Sequence, residues 1–260
     1  MLLPRALSAL VLAPFALAAV WRGGYSFAAL VALATAVMAW EWHRMVAAGR
    51  FGGAGRVTAV VVPLACLASV ALPLAGVALV AGAALASVAL GGRVRVWAGA
   101  GAVYVGLPAV ALVWLREAGE SGRLVMVWLL LLVWATDIGA YAFGRLIGGP
   151  LLAPRISPKK TWAGLFGGML CAGLVGMAVA LRARVGDPAA LAAASVLLAI
   201  IAQGGDFLES WVKRRWGVKD TGAIIPGHGG VLDRVDGLLA AGGAVALATL
   251  ASGETVFKWL

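Results

Sequence analysis

What most constrains this chain is the length of its uncharged runs. Residues 57–92 contain no Asp, Glu, Lys or Arg, and long uncharged stretches recur on both sides of them. A helix needs about 20 apolar residues to cross a bilayer. Only 12% of the 260 residues are charged, half the roughly 25% of a soluble domain. The pattern predicts an all-α polytopic membrane protein with about nine transmembrane helices, at 6–21, 25–43, 57–73, 76–91, 96–115, 124–144, 163–182, 189–206 and 237–252. Leu72-Pro73 and Gly76 divide 57–91 into two short spans, because proline ends or kinks a helix. The first span has the look of a signal peptide, with Arg5, an apolar run and Ala-rich residues before Trp21. Eight more spans follow it and no large soluble domain does, so a first membrane helix is the expectation. One membrane domain is expected, with N-terminal helices over 1–120 and the functional polar segments in 121–260.

Charge sets the expected orientation. With the N-terminus inside, fifteen of the 21 Lys and Arg fall in cytoplasmic segments; the reverse orientation inverts that bias. The polar stretches 145–160 and 207–236 then face the cytoplasm. The net charge of +10 fits this topology and anionic headgroups better than nucleic acid, since no aromatic-basic platform is present. Cys66 and Cys171 lie in apolar runs without metal-ligand spacing, which suits helix packing. Gly164, Gly168 and Ala172, spaced by four, are small residues of the kind that let helices approach closely.

Against this apolar background, Gln203–Asp236 is a polar island. It holds five of the eleven acidic residues, five basic ones and one of the two histidines. Polar groups at membrane depth are costly, so function is sought there first. Gln203, Asp206, Ser210 and Lys213 share one helix face, and Glu209 can pair with Lys213 one turn on. Gly217–Gly230, with five glycines and Pro226, cannot be helix throughout; such a loop brings backbone N–H groups near phosphate oxygens. Asp233 and Asp236, three apart at the start of the last span, repel unless a cation joins them, and Mg²⁺ suits one or two carboxylates with phosphate and water. Upstream, Asp137 lies in the sixth span with Tyr141 one turn on. Ser157, Lys159, Lys160 and Thr161 follow in a proline-bracketed turn, where headgroup contact accounts for the lysines as readily as catalysis. Carboxylates, cations and a glycine loop are what phosphoryl or nucleotidyl transfer needs. A web of salt bridges sealing helix ends, and an ion transporter, are the other readings. A transporter would place acids near the midplane in several helices, whereas here they gather at one edge.

The run Ser210-x-x-Lys213-Arg214-x4-Lys219-Asp220-x-Gly222-x-x-Ile225-Pro226-x-His228-Gly229-Gly230-Val231-x-Asp233-Arg234-Val235-Asp236 resembles the signature of bacterial phosphatidate cytidylyltransferases (CDP-diacylglycerol synthases). Gln203-x-Gly205-Asp206-x-x-Glu209, Ile156-Ser157-Pro158-Lys159-Lys160-Thr161-Trp162 and Asp137-x-x-Ala140-Tyr141-x-x-Gly144 are similar to that family as well, and Ala39-Trp40-Glu41-Trp42 is a weaker echo. Two positions depart from it: Ala163 stands where the family commonly has Glu, and Phe207 where Leu is usual. The exact loop motif separates the chain from a CTP-using polyprenol (dolichol-type) kinase. The resemblance implies a nucleotidyltransferase of phospholipid biosynthesis in a bacterial-type inner cell membrane, making CDP-diacylglycerol from CTP and phosphatidic acid. It implies Asp137, Asp206, Asp220, Asp233 and Asp236 as ligands of one or two Mg²⁺ ions, with a monovalent cation left open. Lys213, Lys219 and Arg234 join Asp220 and Asp233 in catalysis. Ser157, Lys159, Lys160, Thr161, Ser210, Arg214, His228, Gly229 and Gly230 bind substrate. The Gly-rich helices are compatible with a homodimer.

Overall fold

In a computed structural model, residues 3–224 and 229–259 are described. The helices in chain order are α1 (Leu3–Arg22), α2 (Gly24–Val46), α3 (Gly53–Ala68), α4 (Pro73–Leu90), α5 (Arg95–Arg116), α6 (Gly122–Leu146), α7 (Trp162–Ala183), α8 (Pro188–Arg215), α9 (Leu232–Ser252) and α10 (Val256–Trp259). Two strands interrupt the otherwise helical expectation. β1 (Leu151–Ala153) pairs antiparallel with β2 (Ser157–Thr161), with Leu151 opposite Thr161 and Ala153 opposite Ser157. Two prolines and a β-branched end favour an extended hairpin here over a helix.

Among the described residues, seven helices are long and apolar enough to cross a membrane: Gly24–Val46, Pro73–Leu90, Gly92–Arg116, Gly119–Leu146, Trp162–Ala183, Pro188–Arg215 and Leu232–Ser252. The expected span at 57–73 becomes the 16-residue α3, about 24 Å long at 1.5 Å per residue, short of a hydrocarbon core of about 30 Å. The chain turns over Ser69–Leu72, and Pro73 opens α4 as a separate helix, so 57–91 is two helices. The backbone of α1 is helical, but its side chains before Ala13 lie outside the described residues.

The chain forms two compact units. The first is Met1–Gly119 with Lys213–Val235. In it α2–α5 pack on one another. A buried polar chain runs from His43 Nε2 to Thr58 Oγ1 (3.0 Å) and on to Ser87 Oγ (2.9 Å). Trp42 donates its indole N–H to Trp97 O at 2.8 Å. Arg116 reaches the end of α1, donating to Val20 O at 2.5 Å and Trp21 O at 3.2 Å; a cation there satisfies the last carbonyls of a helix.

The second unit is Glu120–Val212 with Asp236–Leu260. Helices α6 and α7 pack along their length. A Cβ at Gly164 would stand 2.8 Å from Ala140 O, and one at Gly168 would stand 2.9 Å from Thr136 O. Only glycine permits that backbone approach. On α8 a Cβ at Gly205 would meet Asp236 O of α9 at 2.8 Å, so these helices also touch through glycine. Thr161 caps α7, its Oγ1 accepting from Gly164 N at 3.1 Å.

Candidate functional site

The polar residues gather in two clusters, one in each unit. In the second unit the cluster is acidic. Ligand oxygens of Asp206, Glu209 and Asp236 lie within 4.8 Å of one another. Asp206 and Glu209 are one turn apart on α8, and Asp236 lies in the first turns of α9. Lys160, from β2, places Nζ 2.5 Å from Asp206 Oδ2 and 2.8 Å from Gln203 Oε1, and sits over the Phe207 ring at 4.5 Å. Ser210 donates to Asp206 Oδ1 at 3.2 Å. Of the expected metal ligands, Asp206 and Asp236 are thus together. Glu209, expected only as an ion-pair partner, joins them, while Asp137 is exposed on α6 and outside that trio. Ser157 is half-buried on β2 and Lys159 exposed, and the Thr161 hydroxyl serves the helix cap.

In the first unit the cluster is the neck of the glycine loop. Asp233 is its hub. One carboxylate oxygen, Oδ1, takes Lys213 Nζ at 2.7 Å. The other accepts from Thr221 N (3.0 Å), Thr221 Oγ1 (3.0 Å) and Gly230 N (2.8 Å). The two ends of the loop therefore meet on a single carboxylate. Gly229 has φ +88°, a left-handed conformation that favours glycine, and a Cβ there would stand 3.0 Å from Asp233 Oδ2 and 3.7 Å from Asp220 Cβ. The Gly230 N–H, in backbone expected to line the nucleotide pocket, is given to Asp233. Asp220, Lys219, Arg214 and Arg234 are exposed around the neck, with Arg214 Nη1 donating to Val218 O at 3.2 Å. His228 lies outside the described residues.

Sequence reasoning passed over one member of this cluster. Glu41 of α2 is 0% exposed. Its Oε1 accepts from Val231 N at 2.8 Å and its Oε2 from Leu232 N at 2.9 Å, with the Thr221 hydroxyl at 3.4 Å. A carboxylate takes the first free N–H groups of α9, as helix N-termini favour. The signal was present in a lone acid inside an apolar span, next to the tryptophans of the weak Ala-Trp-Glu-Trp match.

Beside the neck is a cavity of about 610 Å³, lined among others by Trp40, Arg44, Trp216, Asp220, Thr221 and Gly222. That volume is within the range of small-molecule pockets. The Arg44 guanidinium lies 4.7 Å from the Trp40 ring, and Trp216 meets Trp97 edge-on at 5.8 Å.

A family model described as "Cytidylyltransferase family" matches residues 3–251. The chain is similar to a phosphatidate cytidylyltransferase of Brucella suis biovar 1, 41% identical over 243 residues, which covers 91% of this chain and 89% of that protein. It is similar to one of Staphylococcus epidermidis at 42% over 137 residues, covering 52% of each. It is also similar to one of Rickettsia typhi at 40% over 146 residues, covering 54% of this chain and 64% of the relative.

Proposed function

We infer that this chain, which belongs to the cytidylyltransferase family, transfers the cytidylyl group of CTP to phosphatidic acid. The products are CDP-diacylglycerol and pyrophosphate. The observation that carries this reading is the family match over residues 3–251, which takes in both polar clusters.

The chemistry suits the residues. A lipid phosphate oxygen attacks the α-phosphorus of CTP. The new oxygen–phosphorus bond forms as the bond from the α-phosphorus to the oxygen bridging it to the β-phosphorus breaks, and pyrophosphate leaves with that electron pair. The nucleophile is already an anion, so no strong base is required; the barrier lies in bringing anions together and in stabilising the leaving group. Lys219, Arg214 and Arg234, exposed around the loop neck, supply positive charge to the triphosphate. Lys213 is held by Asp233 and fixes the neck around which those cations stand. Lys160, at the acidic cluster, supplies a cation to the lipid phosphate. Trp40, Trp216 and Arg44 line a cavity whose planar groups suit the base and ribose.

The acidic trio is an all-oxygen donor set of the kind hard cations take. Asp206, Glu209 and Asp236 would hold Mg²⁺, which would supply positive charge against a phosphate oxygen. The basic residues concentrated in 145–160 and 207–236 support a site on the cytoplasmic face of the inner membrane, where CTP is.

The test is an assay of purified protein in detergent with radiolabelled CTP and phosphatidic acid, with and without Mg²⁺. Label in a lipid product that depends on both phosphatidic acid and Mg²⁺ is expected. Label appearing only when a polyprenol replaces the phosphatidic acid would reassign the substrate.

A further inference from the structure

We propose that Glu41 is a positioning residue for cytidylyl transfer, an inference that rests on the reaction assigned above. It lies more than 170 residues before the glycine loop, in a helix otherwise read as part of the membrane scaffold. Yet its two carboxylate oxygens take the backbone N–H groups of Val231 and Leu232 at 2.8 and 2.9 Å, and it has no exposure to solvent.

Three observations converge on the neck of the loop. The Thr221 hydroxyl lies 3.0 Å from Asp233 Oδ2 and 3.4 Å from Glu41 Oε2, so both carboxylates bear on the residue at the near side of the neck. Both also bear on the residues at its far side, Asp233 through Gly230 N and Glu41 through Val231 N and Leu232 N. Finally, a Cβ at Gly222 would stand 2.8 Å from Glu41 Oε1 and one at Gly230 would stand 2.7 Å from the same atom. At Gly222 the Glu41 carboxylate is the first group a side chain would meet, and at Gly230 it crowds that space together with the Thr221 hydroxyl. Glu41 and Asp233 clamp the neck from two sides, and the cations around it inherit their placement from that clamp.

A clamp of this kind acts on geometry rather than on affinity. Reacting groups displaced by about 1 Å lose on the order of 100-fold in rate, and interactions made only in the transition state appear in kcat. Glutamine at position 41 keeps the shape and one acceptor but turns an NH₂ toward a backbone N–H. Glu41→Gln is expected to lower kcat on the order of 10- to 100-fold, with KM for CTP and phosphatidic acid nearly unchanged. Thr221→Val, which removes the shared hydroxyl and leaves both carboxylates, gives a smaller loss of the same form. Thr221→Ser restores it, and the double variant loses less than the two single losses combined. Thr58→Val, which cuts the buried His43–Thr58–Ser87 chain, serves as the control: it lowers the unfolding temperature while kcat per folded molecule holds.

A Glu41→Gln protein that behaves like this control, with full kcat per folded molecule, overturns the inference. Should Glu41→Gln not fold, Thr221→Val decides: wild-type kcat sinks the proposal, and a kcat loss rescued by Thr221→Ser supports it. A wild-type protein without activity would instead overturn the assigned reaction.

Discussion

Lys213 and Asp233 form an ion pair of 2.7 Å whose side chains are only 10% and 4% exposed. A buried pair is weak evidence of net stabilisation, but breaking it from one side strands a charge, which costs about 3–5 kcal/mol. Asp233→Asn and Lys213→Met are each expected to destabilise the protein by that order and to abolish activity. The double variant is expected to be more stable than either single one. Thermal unfolding in detergent checks the stabilities, and labelled-lipid formation the activity.

The acidic trio predicts a change in metal dependence. Asp206→Asn, Glu209→Gln and Asp236→Asn each remove one carboxylate from a group whose ligand atoms lie within 4.8 Å of one another. Each is expected to raise the Mg²⁺ concentration for half-activity by on the order of tenfold or more, since even outer-shell changes cost 10- to 100-fold. Mg²⁺ titration of initial rates measures it, and an unchanged titration for all three would place the metal elsewhere.

Lys160 competes with a cation for Asp206, to which it is ion-paired at 2.5 Å. Two unit charges at that separation in water interact by about 1.7 kcal/mol, or roughly 15-fold in a binding constant. Lys160→Met is expected to tighten Mg²⁺ binding by about that factor while lowering turnover. Titration with Mn²⁺ followed by electron paramagnetic resonance reads binding apart from catalysis.

The tryptophan-lined cavity predicts a nucleotide-specific defect. Base–aromatic contacts are worth about 1–3 kcal/mol each by alanine substitution. Trp216→Ala is expected to raise KM for CTP by about tenfold and leave KM for phosphatidic acid unchanged. Steady-state kinetics with each substrate varied in turn tests this.

Ala163 is the second residue of α7, directly after the Thr161 cap and Trp162, and the first turn of that helix holds no acid. A carboxylate there meets the positive end of the helix dipole, worth about 0.3–1 kcal/mol. Ala163→Glu is expected to add stability of that size, read from the unfolding temperature, and to leave turnover unchanged. A large gain in turnover would give this position a role in the reaction.

The membrane helices were legible because hydropathy is a local signal of the right length, and Leu72-Pro73 marked the break between α3 and α4. The loop and its flanking acids were legible because their spacing matches a dense motif within one stretch of chain. Less was visible wherever the decisive relation is long-range. Nothing local to 151–161 states that Leu151 pairs with Thr161. Only the fold shows Asp233 taking the Gly230 N–H. Glu209 was read from its i+4 neighbour Lys213, and its place beside Asp236 of another helix has no local signal. Glu41 has no periodic partner at all. Its hydrogen bonds reach 190 and 191 residues along the chain, and a lone acid among tryptophans carries no spacing from which to read them.

That separation has a consequence for biogenesis. A polytopic chain enters the membrane from its N-terminus as it is synthesised, so α2 is in place long before Val231 and Leu232 leave the ribosome. Until then the buried Glu41 carboxylate lacks the two backbone donors that satisfy it. Completion of the glycine loop and satisfaction of the buried Glu41 carboxylate are thus one event, about 190 residues after Glu41 itself is made.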